Sequence, residues 1–278
     1  MKQHLIRAVL LALVLLLCGC SGGGAAGAYN LEEVSFTRDG QHIAGELYLP
    51  EGEEPRPLVI LCHGYGGSMA HLRHYAVRFA QQGYAACVFD FIGGGSNIQS
   101  DGDMTEMSVL TEATDLNAVL DGLLNRPELD PARVFLLGAS QGGFVVTYVA
   151  GQRPADIRGL IPLYPGYGMQ DFVRLVADGQ TGLQDTYTML GQTVGRRYVE
   201  DALSFRIEDY MAAYDGPVLI VHGTADPVAP LPYSRRALQF FPSAELKTIE
   251  GAHHGFRDAE DEAAIAYMLD FLRNHAAD

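Results

Sequence analysis

Residues 133–144 read RVFLLGASQGGF, and the fold is decided there. The run Val134-Phe135-Leu136-Leu137 is apolar at every position, the pattern of a parallel-sheet strand buried on both faces. It leads into Gly138-Ala139-Ser140-Gln141-Gly142, a G-x-S-x-G pentapeptide, and then into the apolar-rich segment 144–150, which reads as a helix. A serine at such a strand-to-helix corner is held in strain, and the small flanking glycines let the backbone turn while its hydroxyl stays exposed. Ser140 is therefore a candidate nucleophile. Glycine and serine also collect at ordinary strand ends, so the pentapeptide alone does not establish the chemistry. The order of the surrounding elements has to carry it.

Upstream, residues 31–37 and 43–49 alternate in polarity around Asp39-Gly40, which predicts an antiparallel hairpin. Residues 58–62 form a buried strand that ends in His63-Gly64-Tyr65-Gly66-Gly67. Leu72, Tyr75, Ala76 and Phe79 have helical spacing within 69–82, and Gly83 supplies a C-cap. Residues 85–91 are the next strand, 92–103 a glycine-rich loop, and Leu110, Ala113, Leu116, Leu120 and Leu123 mark a helix closed by Pro127 and Pro131. Downstream, strands are expected at 159–163, 217–221 and 245–249, and a last helix at 258–275. Such alternation predicts an α/β fold: a mostly parallel twisted sheet with helices on both faces. Residues 164–215 interrupt it and are too many for a bare connection, so they should carry their own helices as a small lid. The lid's aromatic residues, Tyr164, Tyr167, Phe172, Tyr187, Tyr198, Phe205, Tyr210 and Tyr214, either line a pocket for an aromatic or acyl group or pack the lid onto the main domain.

A serine hydroxyl needs a base to take its proton as it attacks. Two strand ends offer partners. Residues 222–228 read HGTADPV and place Asp226 just beyond a strand, where a carboxylate can hold an imidazole in its useful tautomer. Residues 251–256 read GAHHGF and deliver a histidine to the same edge, the carboxyl ends of the strands where chemistry gathers in open α/β sheets. Both His253 and His254 are available.

With HGYGG at 63–67, FDFIGGGS at 89–96, TEATDLNAVLDGL at 111–123, GASQGG at 138–143, VHGTADPV at 221–228 and GAHHGF at 251–256, the chain from about residue 34 onward resembles an α/β-hydrolase of the cinnamoyl or feruloyl esterase type. It is also similar to the broader serine aminopeptidase-like group. The resemblance implies Ser140 as nucleophile, Asp226 as orienting acid and His254, the fourth residue of the pattern G-A-x-H-G-F, as base, with His253 in the variable position. The backbone N-H of Gln141, the residue after the nucleophile, is one oxyanion donor, and the resemblance implies that of Tyr65 as the second. A serine at this position argues against the carboxylate-nucleophile hydrolases of the same fold. The lid matches nothing in the family pattern.

Composition agrees with a globular enzyme: 278 residues, 48% hydrophobic and 19% charged, without internal repeats. The net charge of −15 repels phosphate backbones and excludes nucleic acid as an expected partner. Lys2 and Arg7 precede the apolar run 8–17, too short to span a bilayer, which reads as a secretory signal. Leu17-Cys18-Gly19-Cys20 resembles a bacterial lipobox, which implies a signal segment at 1–20, a lipid on Cys20 that anchors the protein to a membrane, a flexible tether at 21–30, and a catalytic domain at 31–278 with the lid at 164–215. Cleavage after Ala26-Gly27-Ala28, giving a fully secreted protein, is the alternative. Cys62 and Cys87 fall in apolar strands and are expected as buried free thiols. No cofactor is implied: Gly93-Gly94-Gly95 lacks a following G-K-[ST], and His71 and His74 are joined by no ligand cluster. His63 and Asp90 are expected to brace loops rather than to react.

The expected function is that of a serine hydrolase cleaving carboxylic esters, short acyl or hydroxycinnamoyl, through an acyl-enzyme. A peptidase acting on short peptides is the alternative, and behind it a non-catalytic binding protein on the same fold.

Overall fold

The described residues of the computed structural model are 27–179 and 182–277. Cys20 and the expected signal segment lie outside them, and the structure does not bear on the anchor. The chain opens with the hairpin β1 (Tyr29–Arg38) and β2 (Gln41–Pro50), which turns at Asp39 and Gly40, both at positive φ. Tyr29 and Asn30, expected in the tether, are already paired with Pro50 and Leu49 in β1.

Strand β3 (Arg56–Cys62) leads through a 3-10 turn, Met69–His71, to α1 (Arg73–Ala80), then β4 (Ala85–Phe89), α2 (Val109–Leu124) and β5 (Leu129–Ala139). From β5 the chain enters α3 (Gln141–Gln152) and β6 (Gly159–Leu163). The insertion comes next: α4 (Met169–Asp178), β7 (Thr186–Met189), β8 (Gln192–Gly195), α5 (Arg196–Leu203) and α6 (Ile207–Ala213). Strand β9 (Val218–Gly223), α7 (Leu231–Ala237), β10 (Ala244–Ile249) and α8 (Ala259–Ala276) complete the domain.

Eight strands form one sheet in the order β1-β2-β4-β3-β5-β6-β9-β10. Both β1 and β4 run antiparallel to β2, and β4, β3, β5, β6, β9 and β10 are mutually parallel. The order reverses at β3 and β5, so a crevice opens beyond their carboxyl ends. Alternation along each strand feeds two cores. Leu58, Ile60 and Leu136 point to the face covered by α2, α3 and the insertion; Val59, Leu61, Phe135 and Leu137 point to the face covered by α1 and α8. A sheet buried on both faces is what the apolar runs demand.

Two elements depart from the sequence reading. The insertion holds a two-stranded antiparallel sheet, β7 with β8, where helices were expected. Four residues with an exposed-buried alternation are too short to distinguish from a loop without knowing which side faces the core. Helix α7 starts at Pro230-Leu231-Pro232 and has only seven residues, so no helical period announces it. Cys62 and Cys87 are both buried and free.

Candidate active site

Ser140 sits between β5 and α3 at φ 55° and ψ −117°, a region a side-chain-bearing residue rarely occupies. Its carbonyl accepts from the Gly143 N-H at 3.0 Å and the Gly166 N-H at 2.8 Å, and its N-H donates to the Leu163 carbonyl at 2.9 Å. These bonds hold the strained turn. A Cβ at Gly142 would run into the Cys62 and His63 carbonyl oxygens, and one at Gly138 into the backbone of Gly142. The motif's glycines are thus required by close packing of α3 against the end of β3.

The parallel strands bring the other candidates to the same edge. His254, on the loop between β10 and α8, has Nε2 2.9 Å from Ser140 Oγ and Nδ1 2.7 Å from Asp226 Oδ2. In that geometry Nδ1-H donates to the carboxylate and Nε2 accepts from the serine hydroxyl. His253 turns elsewhere, its Nδ1 lying 2.9 Å from the Ala225 carbonyl. The Tyr164 ring, at the end of β6, packs edge-on against the His254 ring with centroids 4.9 Å apart.

Asp226 lies beyond β9 with its carboxylate fully buried. Oδ1 accepts from the N-H groups of Val228 and Ala229 at 2.8 and 2.9 Å. Burial alone would raise this carboxyl, but hydrogen bonds from His222, His254 and the Ala229 amide outweigh it and hold it well below the usual carboxylate range. His222 has no assigned role in the sequence reading. Its Nε2-H lies 2.8 Å from the Ala229 carbonyl and 3.3 Å from Asp226 Oδ2, while Nδ1 accepts from the Ser234 hydroxyl at 2.8 Å. It belongs to the VHGTADPV motif, and a buried histidine at a strand end is the signal that marks it.

Tyr65 and Gln141, the expected oxyanion donors, line the same cavity as Ser140. Gln141 opens α3, where its N-H has no intrahelical acceptor and is free to face the cavity. Its side chain is clamped: Nε2 donates to Glu112 Oε2 at 2.8 Å, and Oε1 accepts from the Tyr198 hydroxyl at 2.6 Å. Glu112 is wholly buried, with Oε1 unpartnered, and burial pushes its carboxyl well above the usual range. It too lies in a family motif, TEATDL, but no local pattern indicates its partner. The Tyr65 ring stacks edge-on with Tyr198 at 5.7 Å.

His63 and Asp90 do brace loops. His63 donates from Nδ1 to the Gly64 carbonyl at 2.9 Å and accepts at Nε2 from the Phe91 N-H at 3.1 Å. Asp90 accepts from the N-H groups of Met69 and Gln99, both at 2.7 Å. The insertion's aromatics mostly pack: Tyr167, Tyr187 and Tyr214 are buried, and Phe205 and Tyr210 stack with Tyr148. Phe172 and Tyr198 line the cavity, whose volume is about 520 Å³.

The chain is similar to known proteins in sequence and in fold. Residues 53–206 match the family model described as serine aminopeptidase, S33, and residues 204–278 match that of a TAP-like protein. The structure is similar to that of Est1E from Butyrivibrio proteoclasticus, solved with ferulic acid bound, at 27% identity and a TM-score of 0.77, covering 85% of this chain and 98% of the other. In sequence the chain is 24% identical to the quorum-quenching protein AidA of Acinetobacter baumannii over 87% of this chain and 94% of that protein. It is 25% identical to the uncharacterized protein YfhR of Escherichia coli over 88% of this chain and 81% of that one.

Proposed function

The chain belongs to the serine aminopeptidase S33 family of α/β-hydrolases and is a hydrolase, and from that premise we propose that it cleaves carboxylic esters through an acyl-serine intermediate. The observation that carries the reading is the relay from Asp226 through His254 to Ser140, at 2.7 and 2.9 Å. His254 Nε2 takes the Ser140 proton as Oγ attacks the ester carbonyl. The oxyanion forms between the backbone N-H groups of Tyr65 and Gln141. His254 then gives its proton to the leaving alcohol, and a water activated by the same ring releases the acid. Asp226 stays ionised and stabilises the imidazolium throughout.

Esters are favoured over peptides by the cavity wall. An aminopeptidase needs a free carboxylate to hold the substrate's amine. Of the insertion's candidates Asp171, Asp178, Asp185, Glu200 and Asp201, Asp171 alone lines the cavity. It already pairs with Arg174 at 3.0 Å and accepts from the Tyr233 hydroxyl at 3.1 Å. Similarity to Est1E, solved with ferulic acid bound, supports an aromatic or acyl ester as substrate class. Turnover of p-nitrophenyl acetate, lost in Ser140→Ala and accompanied by no cleavage of aminoacyl anilides, is the expected result. Anilide cleavage without ester turnover would replace it with the peptidase reading.

The same proposal extends to location: export, with a lipid on Cys20 that places the enzyme at a membrane surface. Labelled palmitate should enter the full chain and not Cys20→Ala. Equal labelling of both would remove the anchor.

A further inference from the structure

Six large hydrophobic side chains are well exposed among the described residues, and four of them, Phe172, Leu175, Leu190 and Val228, line the cavity that holds Ser140. Chance scatter does not gather exposed leucines around one opening; contiguous exposed apolar surface marks a binding site. The four come from three separate segments: α4, the β7–β8 turn and the loop after Asp226. On α4, Met169, Phe172 and Leu175 are spaced three apart, so they form one stripe, and all three line the cavity. The buried Val173 falls beside Met169 and nearly opposite Leu175 on the same helix, so the helix packs through one side of the stripe and leaves its Leu175 end in the open. The helix therefore carries more apolar surface than its packing uses. Leu190 sits at the tip of its turn at φ 48°, a conformation that glycine or asparagine adopts more easily, yet its side chain is 67% exposed. An exposed leucine at a strained position makes physical sense when something apolar covers it.

We infer that the substrate's apolar part is a flexible aliphatic chain, which lies along the Met169-Phe172-Leu175 stripe and reaches the rim at Leu190 and Val228. The inference rests on the ester-hydrolase reading and narrows its substrate class. A compact acid such as acetate leaves most of the 520 Å³ unfilled. Leu175, Leu190 and Val228, 74%, 67% and 50% exposed, are the large hydrophobic lining residues most open to water, and a short rigid aromatic acid has little apolar surface to spare for them. A chain of eight or more carbons covers them. The chain belongs to either the acyl or the alcohol side of the ester; the chemistry that recognises it is the same.

The test is a chain-length series below the critical micelle concentration, with p-nitrophenyl esters from acetate to decanoate for the acyl side and alkyl acetates from ethyl to decyl for the alcohol side. A fully buried methylene gains about fourfold in kcat/KM, so half-burial along an open trough predicts a gain of about sixtyfold from butyrate to decanoate, or from butyl to decyl. The double substitution Leu175→Ser, Leu190→Ser should flatten that slope, and Leu31→Ser, an exposed leucine on β1 outside the cavity, should leave it intact. Ser140-dependent acetate turnover with a flat slope in both series overturns the aliphatic chain while sparing the ester hydrolase. Preference for methyl ferulate over every aliphatic ester does the same. If the double variant changes the oligomeric state and not the slope, the rim is a contact between copies and the inference falls. Absence of turnover for every ester removes the parent reading along with it.

Discussion

The Tyr198 hydroxyl donates a 2.6 Å hydrogen bond to Oε1 of Gln141, so a helix of the insertion grips the residue after Ser140. The far side of the same amide is gripped by Glu112 on α2. With both ends of its side chain held, Gln141 has little freedom to move, and fixed placement of that kind is what the proposed oxyanion donor requires.

Tyr198→Phe keeps the ring and its packing on Tyr65 but leaves Gln141 Oε1 buried without a donor. Full loss of an oxyanion donor costs about two to three powers of ten, so a loosened one should lower kcat by about tenfold, with KM little changed. Steady-state kinetics on a short ester checks this. An effect confined to KM would place Tyr198 in substrate binding instead.

Glu112 should matter through its acceptor, not its charge. Glu112→Leu strands Gln141 Nε2 and should cost about 1–3 kcal/mol in urea unfolding. Glu112→Gln keeps an acceptor and should be near neutral at low pH. Its carboxyl is raised in the folded state, so the proton is held more tightly there than in the unfolded chain, and the wild type loses stability as pH rises above 4.5. The Gln variant does not. Its stability relative to the wild type should therefore grow between about pH 4 and about pH 7; a constant difference would mean that Glu112 titrates as an ordinary exposed acid.

Asp226 behaves in the opposite sense. Its carboxyl is lowered in the folded state, so the stability it contributes is fully present above 3.8 and is lost as pH falls further. The gap in unfolding free energy between wild type and Asp226→Asn should accordingly narrow from about pH 6 to about pH 3. Turnover in the Asn variant should fall by about ten-thousandfold, because the imidazole is then held in the wrong tautomer. A pH-independent gap would show that the carboxylate is not bonded to His254 and His222 in solution.

Ser140, Asp226 and His254 are legible as candidates because each comes just after an expected strand, and parallel strands must deliver their ends to one edge. Choosing His254 over His253 needs the family pattern; the structure puts His254 between Ser140 and Asp226 and turns His253 Nδ1 toward the Ala225 carbonyl. His222 and Glu112 sit inside the same motifs without a readable role. Their partners, Asp226 and Gln141, are set by how β9 turns into its loop and how α2 lies over α3, which no local period encodes. The insertion is legible as an interruption but not in content. Strands β7 and β8 are four residues each, and Tyr198 is one tyrosine among many until its hydroxyl is seen on Gln141.

Activation of Ser140 by His254 is what the proposed chemistry depends on, and a fluorophosphonate probe read by intact mass tests it without assuming a substrate. A single adduct on Ser140 is expected in the wild type and none in Ser140→Ala. His254→Ala should label at least about a thousandfold more slowly, and His253→Ala at the wild-type rate. An adduct that survives Ser140→Ala, or labelling that is lost in His253→Ala and kept in His254→Ala, would refute the relay.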